Sequence, residues 1–325
     1  GMVMPQHHAS GLQGDLVLTE FNTRRLSRHQ LSQSGSSHIA VTSTLLESDQ
    51  TDFHPTDVIE DADGSLLVAD TGSWYMICCP TSKIAKPHVL GAIYRIQKKG
   101  SKRHEDPRGL KLDWNHPQVS WLSDSRPVVV KRAIDSLANA NNFDALRSSP
   151  ARLAAVWALH RISGGRARAA VREFLLAEDP DVRAAAIRSV ALWRDRDALI
   201  PLIEVFSQDD PLQRRLAAMA LGRIGDPEAV EPLLQYYSTE LDPFLAHAIV
   251  YALYEIGDVV SLPESHPLGK QVLLMRTADR RNVRADSYPE ILPVRWKKPD
   301  QDKLAQQEQR LSELSAFLPE GDALR

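Results

Sequence analysis

The sequence predicts a mainly α chain with a β part: an α-solenoid of stacked helix pairs, preceded by a small antiparallel β-meander. Three observations carry this reading. A Pro-containing helix-start signal recurs, an Ala-rich apolar stretch follows each copy, and the period changes to short β-prone runs upstream. Ser149-Pro150-Ala151-Arg152, Asp179-Pro180-Asp181-Val182-Arg183, Asp210-Pro211-Leu212-Gln213-Arg214 and Asp242-Pro243-Phe244-Leu245 align, with prolines 30, 31 and 32 residues apart. Self-similarity at such a period marks a solenoid, because one helix pair cannot bury its apolar face alone but a stack can.

Residues 1–14, including His7-His8, show no periodic pattern and are expected to be disordered. Over 15–100 the runs 15–19, 24–31, 38–45, 56–60, 65–70 and 91–97 alternate with turn residues, among them Asp61-Ala62-Asp63-Gly64, a hairpin signal. An open sheet packed on the first helices, or pairing edge to edge in a homodimer, follows from such unclosed strands. Residues 101–125 form a linker in which Trp114 and Trp121 are expected to pack the last strands onto the first helix.

The solenoid is placed at 126–260. Asp or Ser ahead of each helix can accept an orphan backbone N–H, and Pro at the first helical position has no N–H to waste. Small residues such as Ala154, Ala185, Ala217 and Ala248 let helices approach closely, while Leu159, Ile187, Leu221 and Leu253 supply apolar mass. Gly164, Gly225 and Gly257 fall where a left-handed C-terminal residue is wanted. Second helices are expected over 170–177, 198–208 and 229–239, and a weaker copy beginning at Arg126-Pro127 opens the stack. Residues 261–299, rich in Pro and Arg, are read as an irregular segment on the solenoid end. In 300–325, a last helix and tail, Leu304, Leu311, Leu314 and Leu318 share one stripe.

Composition narrows the functional classes. A net charge of −3 and a pI near 6.4 lack the basic excess that phosphate neutralisation requires, so nucleic acid is not an expected partner. No apolar run approaches the ~20 residues of a membrane span.

The helix pairs resemble HEAT repeats of the armadillo-type superhelix, and more closely the short PBS-lyase HEAT-like variant. Upstream, Phe53-His54-Pro55-Thr56-Asp57-Val58, the stretch from Asp63-Gly64-Ser65 through Ala69-Asp70-Thr71-Gly72, and Gly91-Ala92-Ile93-Tyr94-Arg95-Ile96 resemble one to two blades of a sugar-dehydrogenase-type β-propeller. The order of modules is similar to that of planctomycete-type membrane-bound dehydrogenases. There a propeller precedes HEAT-like repeats and a c-type haem domain follows. The resemblance implies an internal fragment of a longer, extracytoplasmic protein, with neighbouring propeller and cytochrome domains as partners. It implies no cofactor in this chain, although the parent family uses a quinone, calcium and haem c. The role it implies is a non-catalytic spacer, the alternative being a part of a sugar or alcohol dehydrogenase.

No complete catalytic constellation stands out. Adjacent Cys78 and Cys79 can be two reduced thiols, a strained vicinal disulfide or a pair of soft metal ligands. Asp61, Asp63 and Asp70 offer hard oxygens suited to calcium, but their spacing does not match an EF-hand and reads first as a turn in which Asp bonds its own backbone before Gly64. His54 and Arg95 are the residues the blade could contribute to quinoprotein chemistry, with His54-Pro55 also readable as loop shaping. Arg183 and Arg214 occupy equivalent repeat positions and are candidates for inter-repeat or partner contacts.

Overall fold

The computed structural model describes residues 1–6, 10–72, 89–101, 104–208, 210–237 and 241–257. Cys78 and Cys79, His7-His8, the segment 261–299 and the helix and tail of 300–325 lie outside the described residues.

Seven strands lie among the described residues of the N-terminal part: β1 (Met2–Val3), β2 (Leu16–Glu20), β3 (Arg25–Ser34), β4 (Ser37–Glu47), β5 (Pro55–Glu60), β6 (Leu66–Asp70) and β7 (Ala92–Ile96). They form two open antiparallel sheets in sequential order, β1-β2-β3-β4 and β5-β6-β7. Period-2 alternation puts Val17, Leu26, Val58, Leu66 and Val68 inside, and with Leu12 and Phe53 they make one core. The expectation that residues 1–14 lack order gives way here. Met2 and Val3 pair with Leu18 and Val17, and Leu12 joins the core with Val3 packed against it, because strand pairing and apolar burial give these residues partners that no local pattern announces. Asp61 to Gly64 turns β5 into β6, with Gly64 at φ +80°.

Nine helices follow among the described residues: α1 (Pro127–Asn139), α2 (Phe143–Arg147), α3 (Arg152–Arg161), α4 (Gly165–Arg172), α5 (Pro180–Trp193), α6 (Leu199–Ser207), α7 (Pro211–Ile224), α8 (Val230–Tyr236) and α9 (Pro243–Ile256). The odd-numbered helices stack side by side as one layer, and the even-numbered ones cover one side of it. Asp179, Asp210 and Asp242 each accept two backbone N–H groups of the helix they precede, with proline at its first position. Gly225 ends α7 in the left-handed region, φ +73°.

The first copy differs. Ser149 accepts the Ala151 N–H, and α3 starts only at Arg152, since a serine two residues further back cannot reach the first helical turn as the aspartates do. Gly164 heads α4 rather than closing α3. The second helix there accordingly spans Gly165–Arg172, earlier than the expected 170–177, and the apolar Phe174 and Leu175 are buried in the turn after it. Where α5 ends without glycine, Arg194 itself takes φ +51°.

Close approach is most pronounced between α7 and α9. A Cβ on Gly222 would stand 2.5 Å from the Ala252 Cα. In the linker, Trp114 meets Trp121 edge-on at 4.8 Å, and Arg132 of α1 lies 4.1 Å over the Trp114 ring. These tryptophans anchor the linker on α1. Its tie to the strands is the Arg108–Asp61 ion pair at 2.7 Å.

The long β3–β4 hairpin is exposed on both faces over its outer half and ends in the two-residue turn Gly35-Ser36, with Gly35 at φ +57°. At about 3.3 Å per residue, ten residues of strand carry this turn roughly 30 Å from the base. Its tip does not sit on the first helices, as expected, but on the caps of α7 and α9. Ser36 donates to Asp242 through its N–H (3.1 Å) and hydroxyl (2.8 Å), and Gln33 Nε2 donates to Asp210 at 3.2 Å. The reason is chemical: a capping carboxylate has lone pairs beyond those its own helix uses, and the hairpin is long enough to deliver donors to them.

Two outcomes follow from this packing. Gly222→Ala is expected to destabilise by about 1–3 kcal/mol through overpacking, although Ala gains about 1 kcal/mol of helix propensity over Gly; a lowered urea midpoint checks it. Asp179→Ala removes a cap alone, whereas Asp242→Ala removes the same cap and the hairpin anchor. Burial raises the Asp242 carboxyl, but donation from Ser36, Leu245 and Phe244 outweighs it and holds the group below its ordinary 3.8. The anchor is therefore intact above that value and lost as pH falls beneath it. Faster amide exchange in the hairpin tip, in Asp242→Ala but not Asp179→Ala and in the wild type only below about pH 4, is the expected result.

Candidate functional site

Repeat position decides where the arginines go. Arg183 of α5 donates to the Ala177 and Glu178 carbonyls at 2.6 and 3.0 Å, in the connection leaving the preceding repeat. Its counterpart Arg214, only 6% exposed, donates from Nε to the Phe206 carbonyl at 2.9 Å and from Nη2 to that of Gln208, while its guanidinium lies 4.1 Å over the Tyr236 ring. The last carbonyls of α6 have no partner within their own helix, so one planar fork satisfies two of them. Arg172 performs a related task between repeats, pairing with the buried Asp195 at 2.7 Å. Arg183 and Arg214 thus lie within the stack, away from its outer face.

That outer face is formed by residues four apart on the odd-numbered helices, which share one side of each. Arg188 and Leu192 of α5 lie beside Arg215, Met219 and Arg223 of α7, followed by His247, Tyr251 and Glu255 of α9. Leu192 is 59% exposed, Met219 44% and Tyr251 43%. Between α3, α5 and α7 the face dips into a groove of about 450 Å³. Trp157, Ile187, Leu192 and Met219 give it an apolar floor and wall, and Arg188, Arg215 and Arg223 bring three guanidiniums to it. The Nε of Arg215 is buried and has no hydrogen-bond partner among the described residues. At the α3 margin His160 stacks on Trp193 at 4.8 Å and meets Trp157 edge-on at 6.2 Å. Burial, with the Arg161 charge adding to it, lowers the His160 pKa below 6.5, so the ring is neutral in this setting. At the α9 margin burial pushes the Glu255 carboxyl up, against the opposing pull of Arg223 and Arg194.

The candidates in the strands are brought together differently. Asp61 pairs with Arg95 at 2.8 Å and with Arg108, and the Arg95 guanidinium holds its carboxyl below the ordinary value. Asp63 accepts from Ser65 and Arg95, which closes the β5–β6 turn. Asp70 accepts the N–H groups of His54 and Gly72 at 2.8 and 2.9 Å. Asp61 and Asp63 are thus drawn onto the one Arg95 guanidinium and Asp70 is used by backbone N–H groups; among the described residues no group of three or more His, Cys, Asp or Glu side chains could hold a metal ion. The His54 ring bonds the Gly72 carbonyl and stacks on Phe21 at 4.5 Å, apart from Arg95.

Sequence reasoning singled out none of Arg188, Arg215 and Arg223. A signal exists in hindsight: relative to the helix-start prolines Pro180 and Pro211, Arg188 and Met219 share one repeat position, while Leu192 and Arg223 share the next on the same face. Among the described residues no helix is long and apolar enough to cross a membrane.

Replacing Arg214 by Lys is expected to destabilise by about 2–3 kcal/mol, because one ammonium cannot span two carbonyls and a ring from a buried position. Arg188→Lys, on the surface, should stay within about 0.5 kcal/mol of the parent. Paired urea titrations check the contrast.

No curated protein matches the chain. Two overlapping segments, residues 143–218 and 201–287, match the family model of HEAT repeats, and they contain all the described helix pairs from α2 onward.

Proposed function

We propose that this chain is a non-catalytic protein-interaction scaffold whose outer helical face receives a partner. The observation that carries the reading is the groove between α3, α5 and α7, where apolar side chains and three arginines lie together on a rigid stack. Exposed large apolar residues rimmed by charge mark interaction sites on soluble folds, and arginine is enriched in such contacts. Stacked repeats suit the task, since each repeat adds surface without changing its neighbours' cores.

In its finer form the proposal makes the solenoid a spacer within a larger dehydrogenase, holding a propeller domain on one side and a c-type haem domain on the other. The likeness of β5–β7 to a propeller blade, and the module order, support it. So does the clasp of the β3–β4 hairpin on α7 and α9, which ties the β part to the far repeats.

Two measurements test the two levels. Covalent cross-linking of the chain to proteins of its native source should place linked peptides on α5 and α7 and lose them in Arg188→Glu/Arg223→Glu with circular dichroism unchanged. Cross-links that persist in the variant would sink the scaffold face. The coding sequence on either side should show propeller blades upstream and a C-x-x-C-H motif downstream; finding neither removes the spacer role alone.

A further inference from the structure

Resting on the scaffold reading, we infer that the α3–α5–α7 groove binds an acidic peptide segment of another protein. The segment's carboxylates are received by Arg188, Arg215 and Arg223, and its apolar side chains by Leu192 and Met219.

Charge complementarity decides the occupant. Other solenoid arginines are engaged within the fold, by carboxylates (Arg147 by Glu173 at 2.6 Å, Arg161 by Asp135 at 2.8 Å, Arg172 by Asp195 at 2.7 Å) or by backbone carbonyls, as Arg183 and Arg214 are. At the groove, among the described residues, no carboxylate stands within ion-pair distance of Arg188, Arg215 or Arg223. Glu255 of α9 faces Arg223 from the next helix and is half-buried at the margin. Three guanidiniums are thus concentrated in one cleft, with Glu255 at its margin as the carboxylate that feels the Arg223 charge.

The apolar surroundings favour a carboxylate set beside hydrophobic side chains. Leu192 and Met219 give a flexible aliphatic contact, Trp157 a flat one, and a groove of about 450 Å³ has room for a few side chains rather than a folded domain. Guanidiniums next to apolar surface are screened less than in open water, and each can take a carboxylate in a two-bonded fork. A nucleic acid would find the arginines but not a basic field around them, since the chain as a whole carries a net charge of −3.

The test pans a displayed library of random peptides, roughly twelve residues long or about three helical turns, against the full chain. Enriched peptides should carry Asp or Glu beside Leu, Phe or Trp. Synthesised, they should bind about tenfold more weakly to Arg188→Gln/Arg223→Gln. The same loss should appear when the peptide's own Glu residues become Gln, a change that leaves the protein's folding untouched. Enrichment without acidic residues, or equal affinity for the variant, overturns the inference and leaves the scaffold reading standing on another surface. No enrichment at all counts against both. Oligothymidylate that binds the same arginines more tightly than any enriched peptide would overturn it in favour of nucleic acid.

Discussion

An aspartate followed by proline is the constraint on which the remaining architecture depends. At Asp179, Asp210 and Asp242 the carboxylate accepts two N–H groups that an α-helix cannot satisfy itself, and the proline closes off the alternative of extending the helix backwards. Each of α5, α7 and α9 therefore begins at a defined residue. Equal starts put equivalent residues side by side in successive repeats, so the alanines face alanines and the helices pack at short range. Gly222 of α7, two positions further along its helix than Ala252 is along α9, lets the two backbones meet most closely, since any Cβ there would strike Ala252. A shift of one residue in α7 would rotate it by about 100° and turn Arg214 out of the stack.

The same carboxylates fix the β part. Asp242 serves α9 through Phe244 and Leu245 and the hairpin through Ser36, which is fully buried beneath it. A buried serine hydroxyl is tolerated only when its hydrogen bonds are made, so hairpin and cap stabilise one another. The hairpin then braces α7 and α9 across a long span, and two open sheets too small to hold the far repeats by burial reach them through three hydrogen bonds.

Much of this was legible in the sequence, and the residues show why the rest was not. Asp179, Asp210 and Asp242 announce their helices because capping is local: donor and acceptor lie within three residues. Ser149 and Gly164 mislead for the complementary reason, since their residue types fit a cap whose exact place is set by packing of α3 and α4. The hairpin's docking depends on contacts between residues about 177 and 206 positions apart, which no local pattern encodes. The order of residues 1–6 escapes for a similar reason: Met2 and Val3 have meaning only once β2 exists. In the candidate surface, Arg183 and Arg214 stood out because they repeat in sequence, yet they repeat because each plugs the preceding connection.

That contrast bears on how a solenoid separates cohesion from recognition. A residue needed to join repeats must recur wherever repeats join, as Arg183 and Arg214 do. A residue needed to recognise a partner has no such obligation, because the partner is not periodic. Arg188 and Met219 hold one repeat position, and Leu192 and Arg223 the next, so charge and apolar surface are exchanged between adjacent helices rather than copied. Copying would have produced one arginine row and one apolar row, a surface without preferred register along the stack. Exchange yields a checkered patch, which would give the proposed segment both a position and a direction along the stack.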